Sequence, residues 1–292
     1  HIPHADTQSQ EPPTSQREPP ILNTTNLRTN VPFGNELQLP KPDGISRFLS
    51  MNIHGLRRGN NFQDMREIAQ ALKISEVDLW NFQETNLNWR SHCLSQCYDQ
   101  IRRVYHQVRL STSSSKIAYN TPYQPGGTMS AVTDNYIGRV VETGSDSEMG
   151  RWSYTRLQCK HGRTIMIVSA YQVCNQQENS AGEKTAFAQQ LPLLRRNGRD
   201  GSPRKAFFDD LDQQLNEWIT KGYEIILSGD LNEQLGADIH GFAHISAKWD
   251  LVEVIQHYHG MTDEPPTYAR GIKRLDCVFC TPNLLSSVKR SG

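Results

Sequence analysis

From residue 45 onward, short apolar runs with β-strand spacing alternate with segments of helical spacing. Strands are predicted at residues 47–52, 77–82, 128–132, 152–159, 164–171, 224–227 and 275–280. The helix between the first two strands spaces its apolar side chains three or four residues apart, at Phe62, Met65, Ile68, Ala69 and Leu72. Residues 111–115 are predicted to form a polar loop. This order indicates a domain that mixes strands and helices.

The clearest helix is predicted from about Ser202 to Gly222. Ser202 can cap its first turn, Pro203 suits the first helical position, and Gly222 suits the end. A further helix over 89–101 is indicated by Trp89, Cys93, Cys97 and Ile101, which recur every fourth residue. The strands 152–159 and 164–171 are joined at 160–162 in the manner of a hairpin.

Residues 1–44 have a different composition from the rest of the chain. They contain eight of the fifteen Pro residues and a single aromatic residue, Phe33. Such a segment buries too little apolar area to offset its ordering entropy. We therefore predict a disordered leader or linker over 1–44 and one domain over 45–292. Because the chain begins with His1 and shows no signal-peptide pattern, we expect it to be a piece of a longer polypeptide.

Charge and apolar content narrow the class of protein. Lys plus Arg equal Asp plus Glu at 31 each, which argues against a uniformly basic DNA-coating protein. No apolar run approaches the roughly 20 residues that cross a bilayer, so no membrane partner is expected. The six Cys residues lie mostly within apolar patterns, which favours reduced thiols and an intracellular location, with the nucleus as one option.

Polar residues stand inside or at the ends of several predicted strands: Asn52, Glu84, Tyr171, Asp230, Asn232 and Asp276. Buried charges are costly unless they are paired or bound to a metal, so these placements suggest one shared site. Carboxylate and amide oxygens with a Tyr make a hard-oxygen site. This chemistry predicts Mg²⁺, with Mn²⁺ as the alternative ion, and argues against Zn²⁺.

Five segments in order resemble the motifs of the endonuclease/exonuclease/phosphatase superfamily, which includes AP endonucleases, deoxyribonuclease I and the endonucleases of non-LTR retrotransposons. The segments are Ser50-Met51-Asn52-Ile53-His54-Gly55-Leu56, Asp78-Leu79-Trp80-Asn81-Phe82-Gln83-Glu84-Thr85, Ser169-Ala170-Tyr171, Ser228-Gly229-Asp230-Leu231-Asn232-Glu233 and Arg274-Leu275-Asp276-Cys277-Val278-Phe279. The resemblance implies an α+β fold: a four-layered sandwich of two mostly antiparallel sheets flanked by helices.

The resemblance also implies a role for each motif residue. Glu84 would be the principal Mg²⁺ ligand, and Asn52 would hold the ion or its waters. Asp230 would orient or deprotonate the attacking water, while Asn232 would bind the scissile phosphate. Tyr171 would donate a hydrogen bond to a phosphate oxygen. The metal-side or phosphate-side network would be fixed by Asp276.

One family element has no counterpart after the last motif. The family ends with an Asp-His pair, whereas 16 residues follow Asp276 here and the last His is His259. Losing one transition-state hydrogen-bond donor costs roughly 100- to 1000-fold in rate. We therefore expect the domain to be incomplete at its C-terminal edge and these 292 residues to be a poor catalyst.

Each feature also has an ordinary structural interpretation. Glu84 could be a surface carboxylate at a strand end, and Tyr171 could simply pack. Asp276 could form an ion pair with Arg274. The Cys pairs at 93/97 and 277/280 could hold zinc if they met, but their apolar neighbours favour core packing. Asn52 and the segment 230–232 could be plain turns.

The densest basic cluster lies at 195–205, where a loop is predicted before the 202–222 helix. It contains Arg195, Arg196, Arg199, Arg204 and Lys205. The first three are candidate contacts to nucleic-acid phosphates, and a solvated loop is the alternative.

These observations together favour a Mg²⁺-dependent phosphodiesterase acting on nucleic acid, most specifically the DNA endonuclease module of a retroelement-type polyprotein. Two alternatives stay open. One is a phosphoesterase of the same fold that acts on lipid or inositol phosphates. The other is a nucleic-acid-binding remnant that has lost its chemistry.

Overall fold

Two β-sheets lie face to face in the computed structural model, which describes residues 33–91, 93–117, 123–178, 182–238, 240–260, 266–267 and 273–292. The first sheet has the spatial order β1-β2-β4-β3, with β1 (Phe48–Asn52), β2 (Leu79–Gln83), β3 (Val108–Ser113) and β4 (Thr128–Thr133). The second has the order β5-β6-β7-β8-β10-β9, with β5 (Val140–Ser145), β6 (Trp152–Gln158), β7 (Thr164–Tyr171), β8 (Glu224–Asp230), β9 (Val252–Glu253) and β10 (Asp276–Cys280). Only β1–β2 and β7–β8 pair in parallel among these strands.

Helices cover the outer face of each sheet. They are α1 (Gly59–Ile74), α2 (Cys93–Arg102), α3 (Ala186–Arg196), α4 (Pro203–Thr220), α5 (Phe242–Lys248), α6 (Val254–His259) and α7 (Pro282–Leu285). Met65 of α1 and Ile101 of α2 pack with Trp80 of the first sheet. Leu211 of α4 packs with Leu227 of the second sheet. The predicted α+β class and four-layered sandwich are therefore confirmed.

The two sheets meet through polar as well as apolar side chains. Asn81 Nδ2 donates to the Val168 carbonyl and to Ser228 Oγ, both at 2.9 Å, and Gln83 Nε2 donates to Ser169 Oγ at 3.1 Å. These side chains, together with the hydrogen-bonded Thr128 and Ser153, form what we call the polar inter-sheet layer. Because hydrogen bonds are directional, this layer fixes how one sheet sits on the other.

Two sequence predictions need correction. Residues 108–113 form strand β3, where a polar loop was expected over 111–115, because Ser111 and Ser113 bond to Gly144 O and Thr128 Oγ1 at 2.6 and 2.8 Å. Ser111 thus bonds to the second sheet and Ser113 to the neighbouring strand β4, and polar residues in these places remove the apolar signal of a strand. Arg195 and Arg196, expected in a loop, form the last turn of α3.

Residues 33–44, the described part of the predicted linker, contact the domain. Lys41 Nζ lies 2.6 Å from an oxygen of Asp78, whose carboxylate also accepts the Arg47 amide at 2.7 Å. The Asn35 amide donates to the Ser291 carbonyl at 2.8 Å. The linker prediction therefore does not extend to these residues, and residues 1–32 lie outside the described part of the chain.

The six Cys residues are all free thiols, and Cys93, Cys97, Cys277 and Cys280 are buried in the core. Core packing was the favoured interpretation of both Cys pairs. Among the described residues, no helix has the length and apolar character required to cross a bilayer.

Candidate active site at one end of the sandwich

Strand pairing brings the predicted site residues to the same end of both sheets. Tyr171 pairs with Asp230 across β7 and β8, and Asp230 pairs with Asp276 across β8 and β10. Asn52 ends β1 beside the last residue of β2, and Glu84 follows directly. The Asn52 Nδ2 atom donates to Asp230 Oδ2 at 2.8 Å, so one hydrogen bond joins the two sheets at this end.

Backbone contacts hold Glu84 in place. Glu84 adopts φ 51°, in the left-handed region that non-glycine residues rarely occupy. The next two amides, Thr85 and Asn86, donate to the carbonyls of Gly127 and Gly126 at 3.2 and 2.8 Å. Gly127 itself has φ 83°, and a Cβ there would lie 2.7 Å from the Ser113 carbonyl, so a side chain is excluded.

Burial sets the protonation of Tyr171. Burial and the nearby negative charge of Glu84 raise the pKa of Tyr171 well above its ordinary value, and the hydroxyl is hydrogen-bonded to Glu84. Tyr171 is therefore a protonated phenol over the whole physiological range. A neutral hydroxyl at this position is a hydrogen-bond donor, and its donation to a phosphate oxygen stays a prediction.

Two neighbouring carboxyls repel each other in the site. Burial and the charge of Asp276 raise the pKa of Asp230 to about 7, against the opposing hydrogen bonds from the Asn232 amide and Asn52. Burial, with a further contribution from Glu84, also raises the pKa of Asp276. A carboxyl with a pKa near neutrality can accept a proton from water at physiological pH.

The Asn232 amide is fixed at both ends. Its Nδ2 atom donates to the Gln172 carbonyl at 2.6 Å, and its Oδ1 atom accepts from Cys174 Sγ at 3.1 Å. Burial and the charge of Asp230 raise the pKa of Cys174, so this exposed thiol stays protonated and is a donor. One hydrogen on Asn232 Nδ2 stays available for a ligand.

Arg204 clamps the loops that follow β7 and β8. Its Nη1 atom donates to the carbonyls of Val173 and Asn232 at 2.7 and 3.4 Å, and its Nη2 atom lies 3.3 Å from Glu233. Burial lowers the pKa of Arg204. The sequence grouped Arg204 with surface cations, but it serves inside the fold. In the sequence, Arg204 stands only in the first turn of a predicted helix, before the apolar side chains of that helix begin. That position does not indicate which groups the Arg204 side chain contacts.

The three candidate nucleic-acid contacts lie apart from the carboxyl cluster in the chain. Arg195 pairs with Glu178, and Arg199 Nη1 lies 2.7 Å from Asp210. Arg196 is exposed at the end of α3. Their contact with nucleic acid stays a prediction.

The chemistry of the donor set fits a divalent cation. Asp276 Oδ1 is buried without a hydrogen-bond partner, and the charge of Arg274, which lies 2.5 Å from Glu253, also acts on Asp276 and opposes the rise of its pKa. Among the described residues, no three His, Cys, Asp or Glu side chains are grouped as a metal cage. Mg²⁺ needs no such cage, because it keeps several waters and takes one or two carboxylates. Glu84 and Asn52 would hold such an ion.

Two residues near the site were not assigned a role from the sequence. His54 Nδ1 lies 3.1 Å from Glu84 Oε2, and Thr267 hydrogen-bonds to Asp276. His54 stands two residues after Asn52 in the first motif, so its position was visible in the sequence. Thr267 had no such signal.

Asp230 makes stability depend on pH in metal-free solution. An unfolded Asp titrates near pH 4, so between about pH 4 and 7 the folded chain binds more protons than the unfolded chain. The free energy of unfolding should therefore fall as pH rises through this window, by about 4 kcal/mol for a three-unit shift. Urea unfolding in EDTA, with Asp230→Asn as the reference, measures this contribution. A wild-type-minus-variant difference that stays constant from pH 4 to 7.5 contradicts it.

Solved structures share this architecture. The human Nocturnin catalytic domain is 16% identical, with a TM-score of 0.55 over 81% of this chain and 82% of that chain. The AP endonuclease LMAP from Leishmania major is 16% identical, with a TM-score of 0.55 over 82% of this chain and 80% of that chain. The Xenopus laevis APE2 catalytic domain is 13% identical, with a TM-score of 0.50 over 82% and 83%.

No protein-family model and no curated protein sequence matches the chain. At these identities the similarity concerns the fold. Its breadth, about four fifths of each chain, agrees with the order of the five motifs. The chain therefore has the fold of these three proteins, which is the fold that the five motifs led us to expect.

Proposed function

We propose that this chain is a divalent-cation-dependent phosphodiesterase that hydrolyses nucleic-acid backbones, with DNA as its substrate. The observation that carries the proposal is the meeting of both sheets at one polar end, where Asn52 bonds to Asp230 and Tyr171 bonds to Glu84. Structural carboxylates are normally paired with cations, whereas Asp230 and Asp276 face each other. Such a pair is typical of a site that works on a ligand.

Each side chain has a task in the proposed reaction. Asp230 accepts a proton from the attacking water, because its raised pKa makes it an effective base near neutral pH. Asn232 donates a hydrogen bond to a phosphate oxygen, and Tyr171 would donate its single O–H to a second phosphate oxygen, instead of to Glu84, when Glu84 holds the cation. Glu84 and Asn52 hold the cation, and Asp276 fixes the network around Asp230. The bound cation supplies positive charge for the developing negative charge on the phosphate.

DNA is the proposed substrate for two reasons. The Leishmania major protein of similar fold is an AP endonuclease. The five motifs also resemble those of nucleases that act on DNA. We further propose that the chain is the endonuclease module of a retroelement-type polyprotein, on the resemblance of the motifs to non-LTR retrotransposon endonucleases and on the Pro-rich leader. A reverse transcriptase encoded in the same open reading frame would support this context.

A plasmid-nicking assay tests the proposed activity. We expect slow nicking with Mg²⁺ or Mn²⁺, as the weak catalysis expected without the Asp-His pair requires, none with EDTA, and none with Glu84→Ala or Asp230→Ala. Release of phosphate from an inositol phosphate without nicking would instead favour the small-substrate phosphoesterase. DNA binding without nicking at long incubation would favour a binding protein, and nicking that survives both substitutions would overturn the proposed site.

Reversing two charges on α3 tests whether this helix is part of the surface that binds DNA. Replacing Arg195 and Arg196 by Glu should weaken DNA binding and reduce the slope of log Kd against log salt by about 2, since each phosphate contact contributes roughly 0.9. Fluorescence anisotropy across a salt series measures both. Lys221→Glu, at an exposed ion pair on α4, is the matched control and should leave the slope unchanged. An unchanged slope in the double variant removes α3 from the binding surface.

A further inference from the structure

His54 is placed beside the carboxylate that the proposed function assigns to the cation. Its Nδ1 atom lies 3.1 Å from Glu84 Oε2. Its backbone amide donates to Asn52 Oδ1 at 2.9 Å. The other end of the Asn52 amide is committed to Asp230, so Asn52 Oδ1 is turned to the side of His54. An imidazole nitrogen and a carboxylate oxygen therefore lie next to each other, and the Asn52 amide oxygen contacts the backbone of the same His54.

The backbone and exposure of His54 are unusual for a residue that serves packing. Its side chain is 91% exposed, and its φ of 49° lies in the left-handed region. An exposed side chain gains little from apolar burial, so packing does not explain this conformation. The conformation does bring the ring to Glu84, which is 16% exposed and points into the site.

The separation suits two ligands of one metal ion. Donors about 2.1 Å from an octahedral ion and at right angles lie about 3.0 Å apart, close to the observed 3.1 Å between His54 and Glu84. Neutral imidazole is a common ligand of transition metals, whereas Mg²⁺ prefers oxygen donors. An imidazole among oxygen donors therefore moves preference from Mg²⁺ towards Mn²⁺.

We propose that His54 is a direct ligand of the divalent cation in this site and that the site consequently binds Mn²⁺ in preference to Mg²⁺. The inference rests on the proposed function for the cation site, and it adds the ligand and the selectivity. A hydrogen bond between His54 and Glu84 alone would produce the same 3.1 Å contact without metal ligation. The two cases differ in whether nitrogen contacts the ion.

Electron paramagnetic resonance of bound Mn²⁺ separates them without any measurement of activity. Wild type should show spin-echo modulation from a directly coordinated nitrogen, and His54→Gln, which keeps a hydrogen-bond donor for Glu84, should lose it. His106→Gln, at an exposed His between α2 and β3, is the matched control and should keep the modulation. The Kd for Mn²⁺ should rise about 10-fold in His54→Gln, with little change for Mg²⁺.

The outcomes distinguish this inference from the proposed function. Mn²⁺ that binds in a Glu84-dependent manner without nitrogen modulation overturns the role of His54 and leaves the proposed cation site in place. Equal losses of Mn²⁺ and Mg²⁺ affinity in His54→Gln overturn the selectivity. If wild type and Glu84→Ala bind Mn²⁺ equally weakly, the proposed cation site is wrong, and the proposed role of His54 is wrong as well.

Discussion

Replacing Asp230 by Asn should lower the rate of phosphodiester hydrolysis by about 1000-fold or more, because a positioned general base contributes roughly 100- to 10,000-fold. The amide has nearly the same shape as the carboxyl, but it has one acceptor oxygen, so it can accept from Asn52 Nδ2 or from the Asn232 backbone amide and not from both. It cannot accept a proton from water at neutral pH. The measurement is the initial rate of nicking under single-turnover conditions, with the fold checked by circular dichroism.

A matched carboxylate controls for the loss of one negative charge. Asp209 on α4 is half exposed and pairs with Lys205 at 2.6 Å, so Asp209→Asn should leave the rate within a factor of two or three of wild type, as surface pairs contribute little. A folded Asp230→Asn variant with a rate within 10-fold of wild type would show that this carboxyl is not the base.

The largest effect on stability is expected at Arg151, which holds two carboxylates together. Its side chain is 4% exposed, and its Nε and Nη1 atoms lie 2.6 and 2.8 Å from Asp146 and Asp210. Burial acts to raise the pKa of Asp210, but hydrogen bonds from Arg199 and Arg151 outweigh it and lower that pKa. Arg151 also covers the face of the Trp152 ring, 4.6 Å from its centroid. One guanidinium therefore satisfies the buried Asp146 and shares the partly exposed Asp210 with Arg199.

Replacing Arg151 by Met should reduce the free energy of unfolding by about 3 to 5 kcal/mol, the usual cost of stranding buried charges. Urea denaturation monitored by Trp fluorescence measures it. Lys205→Met, at an exposed pair, should cost less than about 1 kcal/mol and is the control. A loss below about 1 kcal/mol in Arg151→Met would mean that Asp146 and Asp210 find other partners or water.

Apolar spacing was sufficient to predict three helices and seven strands, namely α1, α2, α4, β1, β2, β4, β6, β7, β8 and β10. Helix α4 begins at Pro203, where Ser202 caps it by accepting the Lys205 amide at 3.2 Å, as its sequence indicated. Strand β3 was not predictable, since its inward residues are Ser and Thr whose partners lie on another strand. Helix α3 was missed because its Gln-rich stretch and internal Pro192 weaken the apolar pattern.

The candidate site also has a part that was predictable from the sequence and a part that was not. The identities of Asn52, Glu84, Tyr171, Asp230, Asn232 and Asp276 came from motifs at strand ends, and the structure brings them to one end of the sandwich. Which side chains meet depends on how two sheets are superposed, and spacing along the chain does not contain that information. The hydrogen bond between Asn52 and Asp230 is of this kind, and the contacts of His54 with Glu84 and of Arg204 with the Val173 carbonyl depend in the same way on tertiary placement within one sheet and its helices.

The polar inter-sheet layer carries a consequence for how the site tolerates change. Two of the six site residues lie at the end of the first sheet and four at the end of the second, and the hydrogen bonds of Asn81 and Gln83 join the two sheets beneath the site. An apolar interface can shift by small steps at little cost in free energy. Several hydrogen bonds between two sheets must instead break together before the sheets can slide. The polar inter-sheet layer therefore fixes the distance between Glu84 and Asp230. Substitutions in the outer helices can accumulate without changing that distance.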